Sequence, residues 1–182
     1  MTKVGIFVGS LRKGSYSRQI AEHVATLFPD EIQIEFVETE NLPFYNPDFD
    51  DENRVPTSYT AFRNTMKEID AVLFVTPEYN RSYPAVLKNA LDVGSRPYGQ
   101  SIWDGKPAAI ISQSPGNISG FGANHHLRQP FVFLNMPTLQ QPEAYIGHSA
   151  ELLENGKIKD SGTVEFLQTF VNAFVDFINK SK

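Results

Sequence analysis

The sequence predicts a three-layer α/β fold built on a doubly wound, parallel, five-stranded sheet, and three observations lead there. Short apolar runs bounded by turn residues alternate along the chain with stretches of helical period. The main runs are apolar without interruption, the pattern of a strand covered on both faces by helices. No internal repeat or low-complexity linker divides the chain, so residues 1–182 are expected to form one domain.

The elements follow in order. Residues 3–8 form the first strand, and Ile20, Ala21, Val24 and Leu27 then recur at helical spacing. Residues 32–37 alternate apolar and polar, which suits an edge strand. Residues 71–75 and 108–112 are continuous apolar strands, with the stripe Ala85, Val86, Leu87, Ala90 and Leu91 between them. A short fifth strand is expected near Thr138-Leu139 or at Ala144-Tyr145-Ile146. The long stripe Val164, Leu167, Phe170, Val171, Phe174, Val175 and Ile178 closes the chain with a docking helix. Right-handed crossovers between such elements give a sheet of flavodoxin-like order.

Composition narrows the chemistry. A net charge of -5 gives no global attraction to nucleic acid or to a membrane surface, so an anion must be held locally, with Arg12, Lys13 and Arg18 as the available cluster. The absence of cysteine removes thiolate nucleophiles, disulfides and thiolate metal sites, so redox chemistry requires a bound cofactor. No basic region followed by an apolar stretch and cleavage site begins the chain, and a cytoplasmic protein is expected. The N-x-S sequons at Asn80 and Asn117 are then accidental.

In a doubly wound sheet, ligands bind outside the carboxyl ends of the strands, which singles out residues 9–17, 76–84 and 112–120. The first follows a strand with Gly, hydroxyls and basic side chains at a helix N-terminus, where free amides and the helix dipole favour an anion. Gly9 to Gly14 has G-x-x-x-x-G spacing, but Ser15 stands where a triphosphate-binding loop needs lysine, and G-x-G-x-x-G is absent. A monophosphate fits; an ordinary turn with Ser15 capping the helix is the alternative. In the second segment Pro77 and Pro84 stiffen a loop able to grip a flat heterocycle, with Tyr79 offering a ring face or a hydroxyl. The alternative is a turn whose tyrosines cover the sheet edge. The third segment, Ser112 to Gly120, is a Gly-rich turn before another helix.

These residues resemble the NADPH-dependent FMN reductase family of flavodoxin-like fold, which includes bacterial quinone, chromate and azo-dye reductases. The resemblance rests on G-S-L-R-K-G-S near the N-terminus, P-E-Y-N-x-S-x-P-x-x-L-K-N-A-x-D from Pro77 to Asp92, Ser95-Arg96-Pro97, Gly105-Lys106-Pro107 and the third turn. It implies non-covalent FMN. Ser10, Arg12, Ser15 and Ser17, with the amides around Gly9, Leu11 and Tyr16, would hold the phosphate; Pro77, Glu78, Tyr79 and Asn80 would contact the flavin ring. Ser82, Ser114 and Gly116 are secondary candidates. Ser17 stands where asparagine is usual, and Asn117 where a second glycine is common. The resemblance further implies NADPH or NADH as electron donor, a small-molecule acceptor, and a homodimer or homotetramer with contacts through Asp92–Tyr98 and His125–Arg128. A flavodoxin-like electron carrier with a protein partner is the alternative.

No side chain is needed as nucleophile, because the cofactor carries the chemistry. Gly147-His148-Ser149 lacks the last glycine of a nucleophile elbow. His125-His126 point in different directions on a helix and have no carboxylate at ligand spacing, so no metal is expected. The acidic stretch Asp48, Asp50, Asp51, Glu52 lacks the glycine and terminal glutamate of a Ca²⁺ loop and reads as a solvated loop beside the substrate entrance. Trp103 and Tyr98 are read as packing residues before nicotinamide-stacking ones.

Overall fold

A computed structural model describes residues 1–181. Five parallel strands, β1 (Thr2–Val8), β2 (Ile32–Phe36), β3 (Ala71–Pro77), β4 (Ala108–Gln113) and β5 (Ala144–Ile146), pair in the order β2-β1-β3-β4-β5. This is the flavodoxin-like arrangement expected from the sequence, with alternating β2 at an edge. All seven residues of β3 and all six of β4 are buried, as continuous apolar runs require. Both candidates for the fifth strand lie against β4: residues 144–146 pair with it, and Thr138 bridges Ala108.

Helices cover both faces. α1 (Tyr16–Ala25) and α7 (Ser161–Lys180) bury Ile20, Val24, Phe170 and Phe174 against Val4, Ile6 and Leu73. α3 (Thr57–Lys67), α4 (Ala85–Gly94) and α5 (Phe121–Phe133) cover the other face, where Tyr59, Phe62, Leu91, Leu127 and Phe131 pack with Phe7, Phe74 and Trp103. Between these lie short α2 (Asp48–Asp51) and α6 (Ser149–Leu152), and the hairpin β6 (Leu153–Glu154) and β7 (Lys157–Ile158). α1 stops at Ala25, before the last residue of its predicted stripe, because the Thr26 amide turns back to His23 and Val24 and Pro29 follows. Among the described residues no helix is long and apolar enough to cross a membrane.

Candidate functional site

The first loop is pressed against the end of β3. The Gly9 amide donates to Val75 O at 2.9 Å, and a Cβ on Gly9 would lie 2.9 Å from Thr76 Oγ1 and 3.0 Å from Pro77 Cδ. Only glycine permits this approach without displacement. Ser15 caps α1, its Oγ accepting from the Arg18 amide at 3.1 Å. The next amides, of Tyr16 and Ser17, lie in the first helical turn and have no intrahelical acceptor. Arg12 makes no ion pair among the described residues, and its guanidinium sits 6.0 Å from the Tyr16 ring centroid. Arg18 leaves the basic cluster: it pairs with Glu22 at 2.7 Å and lies over Phe36 at 4.2 Å. Ser10, Leu11, Arg12, Ser15 and Arg18 also line an open cavity of about 590 Å³ together with Glu22, Glu38 and Glu40.

The second loop is a tight turn. Tyr79 and Ser82 exchange backbone hydrogen bonds at 2.8 and 3.0 Å, with Asn80 and Arg81 between them at φ 51° and 66°. Positive φ at both central positions matches a two-residue primed turn, in which asparagine is favoured. Pro77 is buried as the last residue of β3, and Glu78 is committed to the scaffold. Its Oε2 accepts from the Ala123 amide at 3.1 Å, on the first turn of α5, while Oε1 accepts from Arg81 at 3.0 Å. Gly122 leaves room for this carboxylate, since a Cβ there would lie 2.8 Å from Arg81 O and 3.0 Å from Glu78 Oε2. Ser82 Oγ lies 3.0 Å from His126 Nδ1, a second tie to α5. Tyr79 and Asn80 remain exposed at the tip.

The third loop folds on itself, with Ser114 Oγ donating to Gly116 O at 3.0 Å and Ser112 Oγ to Ser119 O at 3.1 Å. Two contacts join the three loops. Ser10 Oγ lies 3.5 Å from the Tyr79 hydroxyl, and Gln113 Nε2 donates to Ser17 Oγ at 2.9 Å. Ser17 is therefore fully buried beneath the N-terminus of α1 and held by a residue that sequence reasoning passed over. The available signal was a polar pair, Ser112-Gln113, at the carboxyl end of an otherwise apolar strand.

The segment after β2 is held just as firmly. Asn89 of α4 accepts from the Tyr45 amide at 2.8 Å and donates to Leu42 O and Pro43 O at 3.1 and 2.9 Å. The acidic stretch is not a solvated loop at Asp50. Arg63 grips that carboxylate at 2.7 and 2.8 Å, and both side chains are nearly buried, because Arg63 occupies a core-facing position of α3. No group of three or more His, Asp or Glu able to hold a metal occurs among the described residues. Trp103 is wholly buried and packs, whereas Tyr98 projects into solvent.

Beside the second loop, His125 Nε2 lies 2.9 Å from the Tyr145 hydroxyl and 3.8 Å from Glu143. Burial, then the hydrogen bond to Glu143 and its charge, push the Tyr145 phenol from 10.0 up to about 12. The folded state holds this proton more tightly than the unfolded chain. The associated stability is therefore complete below about pH 10 and disappears as pH rises toward 12. An ultraviolet phenolate titration, differenced against Tyr145→Phe, should show this tyrosine ionising last, and Glu143→Gln should bring it down. Ionisation together with the exposed tyrosines would refute the assignment.

Comparison with known proteins bears on the family and the fold. The profile of the family described as NADPH-dependent FMN reductase matches residues 2–151. A quinone reductase of Pseudomonas putida is 52% identical over 180 residues, covering 98% of this chain and 96% of its own. A 2-hydroxy-1,4-benzoquinone reductase of a Burkholderia species is 42% identical over 177 residues, covering 97% and 96%. Among solved structures, FerB of Paracoccus denitrificans, a flavoenzyme NAD(P)H:(acceptor) oxidoreductase, is 40% identical and covers 100% of this chain and 99% of its own with a TM-score of 0.93. Matches along nearly the whole chain, on a sheet of this order, make it a member of the NADPH-dependent FMN reductase family.

Proposed function

We propose that the chain, acting as one FMN-binding domain, is an NAD(P)H-dependent oxidoreductase that reduces quinones and similar small acceptors. The observation that carries this reading is the meeting of three loops at the carboxyl edge of the sheet, through Ser10 with Tyr79 and Ser17 with Gln113. The residues present fit FMN: open helix amides, hydroxyls and an arginine free of carboxylates lie at one end, and a stiff, exposed turn at the other. The loop shares its cavity with the carboxylates Glu22, Glu38 and Glu40, and Arg18 is paired with Glu22, so the phosphate is assigned to the loop's own amides and hydroxyls and to Arg12.

FMN, when bound, supplies the redox chemistry: hydride acceptance from a nicotinamide and onward transfer to the acceptor, in ping-pong order. The protein's part is orientation. Glu78 and Ser82 fasten the turn to α5, so that Tyr79, Asn80 and the backbone of Glu78 present a fixed edge to the ring. Asn89 and the Arg63–Asp50 pair fix the segment bordering the entrance. Tyr98, Val132 and Phe133 are 91%, 82% and 85% exposed, and we assign the face formed by α4, α5 and the segment after α4 to a homodimer. Sedimentation should find a dimer or tetramer; a fully active strict monomer removes this assignment.

Anaerobic addition of NADPH or NADH to the FMN-loaded protein should bleach the flavin band, and a benzoquinone should restore it. Bound flavin that neither nicotinamide reduces identifies an electron carrier instead. Arg12→Ala should weaken FMN binding by one to two orders of magnitude, equivalent to about 1.5–3 kcal/mol for a charge-assisted hydrogen bond. Riboflavin, which has no phosphate, should bind unchanged. Equal affinity of wild type and variant for FMN excludes Arg12 from the anchor.

A further inference from the structure

The phosphate anchor uses one part of the cavity beside the first loop and leaves the rest without a role. That cavity, of about 590 Å³, is in the size range of sites that enclose a drug-sized ligand. It lies at the carboxyl ends of two adjacent strands, between Val8 of β1 and Val37-Glu38-Thr39-Glu40, the segment that leaves β2. Thr39 is only 5% exposed, and its hydroxyl has no hydrogen-bond partner among the described residues. A hydroxyl so buried and unpaired calls for a polar partner. On either side of it, Glu38 and Glu40 are exposed and pair with no cation among the described residues.

Carboxylates beside a hydroxyl suit a sugar diol, because carboxylate oxygens accept from ribose hydroxyls and threonine can donate or accept. In doubly wound sheets an acidic residue past the second strand binds the ribose 2′-hydroxyl of an adenine dinucleotide, whereas a 2′-phosphate needs an arginine nearby. A second cavity, of about 250 Å³, shares Val37 and Glu38 with the first and is lined by Phe36, Leu42, Ala61 and Phe62, apolar surroundings of the kind a flat base needs. The first cavity also adjoins the turn assigned to the flavin ring, since Ser10 lines it and lies 3.5 Å from the Tyr79 hydroxyl. Resting on the reading of the protein as a nicotinamide-dependent flavoenzyme, we propose that this cavity is the adenosine subsite of the electron donor, where Glu38, Thr39 and Glu40 receive the ribose diol and select NADH over NADPH. The 2′-phosphate of NADPH would enter among three carboxylates, with Arg12 committed to the FMN phosphate and Arg18 to Glu22. Like charges brought together oppose binding, so the selection works by repulsion as well as by attraction.

The test is calorimetric titration of the FMN-loaded protein with ADP-ribose and with 2′-phospho-ADP-ribose, which carry the adenosine end of each donor and no nicotinamide. Wild type should bind ADP-ribose tighter by about tenfold or more, the like charges opposing the other ligand. Glu38→Gln combined with Glu40→Gln should shrink that ratio severalfold, chiefly by improving binding of the 2′-phosphate. Thr39→Val should weaken ADP-ribose, and thermal melting checks that each variant folds. In rapid-mixing reduction of the flavin, NADH should saturate at a lower concentration than NADPH, and the double variant should narrow the gap. Equal binding of the two ligands by wild type, or an unchanged ratio in the folded double variant, overturns the proposal. AMP that binds as tightly as ADP-ribose, while NADH reduces the flavin at an unchanged rate, identifies a site for free nucleotide and overturns it too. If neither NADH nor NADPH reduces the bound flavin, the oxidoreductase reading fails; if both do and ADP-ribose does not bind, the subsite alone is removed.

Discussion

Trp103→Ala should lower the unfolding free energy of the apoprotein by about 3–5 kcal/mol, the range for emptying a fully buried tryptophan position. The ring meets Phe7, Phe62 and Phe74 with centroids 5.7, 6.3 and 6.4 Å away, so its removal opens a void between the sheet and α3. It also withdraws a donor, since Nε1 gives a hydrogen bond to Leu91 O at 2.9 Å. The packing leaves no slack: a Cβ on Gly94 would lie 2.5 Å from that same nitrogen. Urea denaturation should show a lower midpoint at an unchanged slope, and the melting temperature should fall by on the order of 10 °C. A fall of only a degree or two would mean that the neighbouring aromatics close the void, in which case the cost belongs to the indole contacts alone.

Arg63→Ala should cost a comparable amount, about 3–5 kcal/mol, for a different reason. The arginine is held by both carboxylate oxygens of Asp50 and by Val93 O, the last at 3.0 Å, with the Tyr59 ring 5.4 Å from its guanidinium carbon. Side-chain exposures of 10% and 8% place the pair outside the regime of surface salt bridges. Removing the cation strands a nearly buried carboxylate, so α2 should peel away before the sheet melts. Hydrogen exchange should accordingly rise around residues 45–54 in Arg63→Ala. Adding Asp50→Leu should return much of the loss, because an unpaired charge is then no longer buried. A double-mutant cycle with coupling below about 0.5 kcal/mol would show that the pair behaves as a solvent-exposed one.

These two side chains also mark how far the sequence could be read. Continuous apolar runs placed β1, β3 and β4 to within one or two residues, because burial on both faces leaves a pattern that turn residues cannot imitate. Helix α3 went unassigned because Arg63 interrupts its stripe. Tyr59, Phe62, Arg63 and Met66 have helical spacing, but one member is a charge whose partner, Asp50, cannot be guessed from its position. The β6–β7 hairpin did leave a signal, Asn155-Gly156 between short runs, with both residues at positive φ, and it was overlooked beside the long helix that follows. The loops of the site were legible as loops. What they hold on to was not. The tie from Glu78 to α5 and the bond from Gln113 to Ser17 join residues 45 and 96 positions apart, and no local pattern encodes such pairings.

Those separations bear on how the protein comes to exist. The first loop is complete once the first 18 residues have been synthesised, yet the bonds that hold the three loops close across 69, 45 and 96 residues. Loop closure over such spans comes late in folding, after local helices have formed. A nascent chain carrying only β1 and α1 therefore has the first loop without the two that meet it. FMN capture therefore needs the chain at least as far as α5, and a cofactor that binds only the assembled loops stabilises them by mass action.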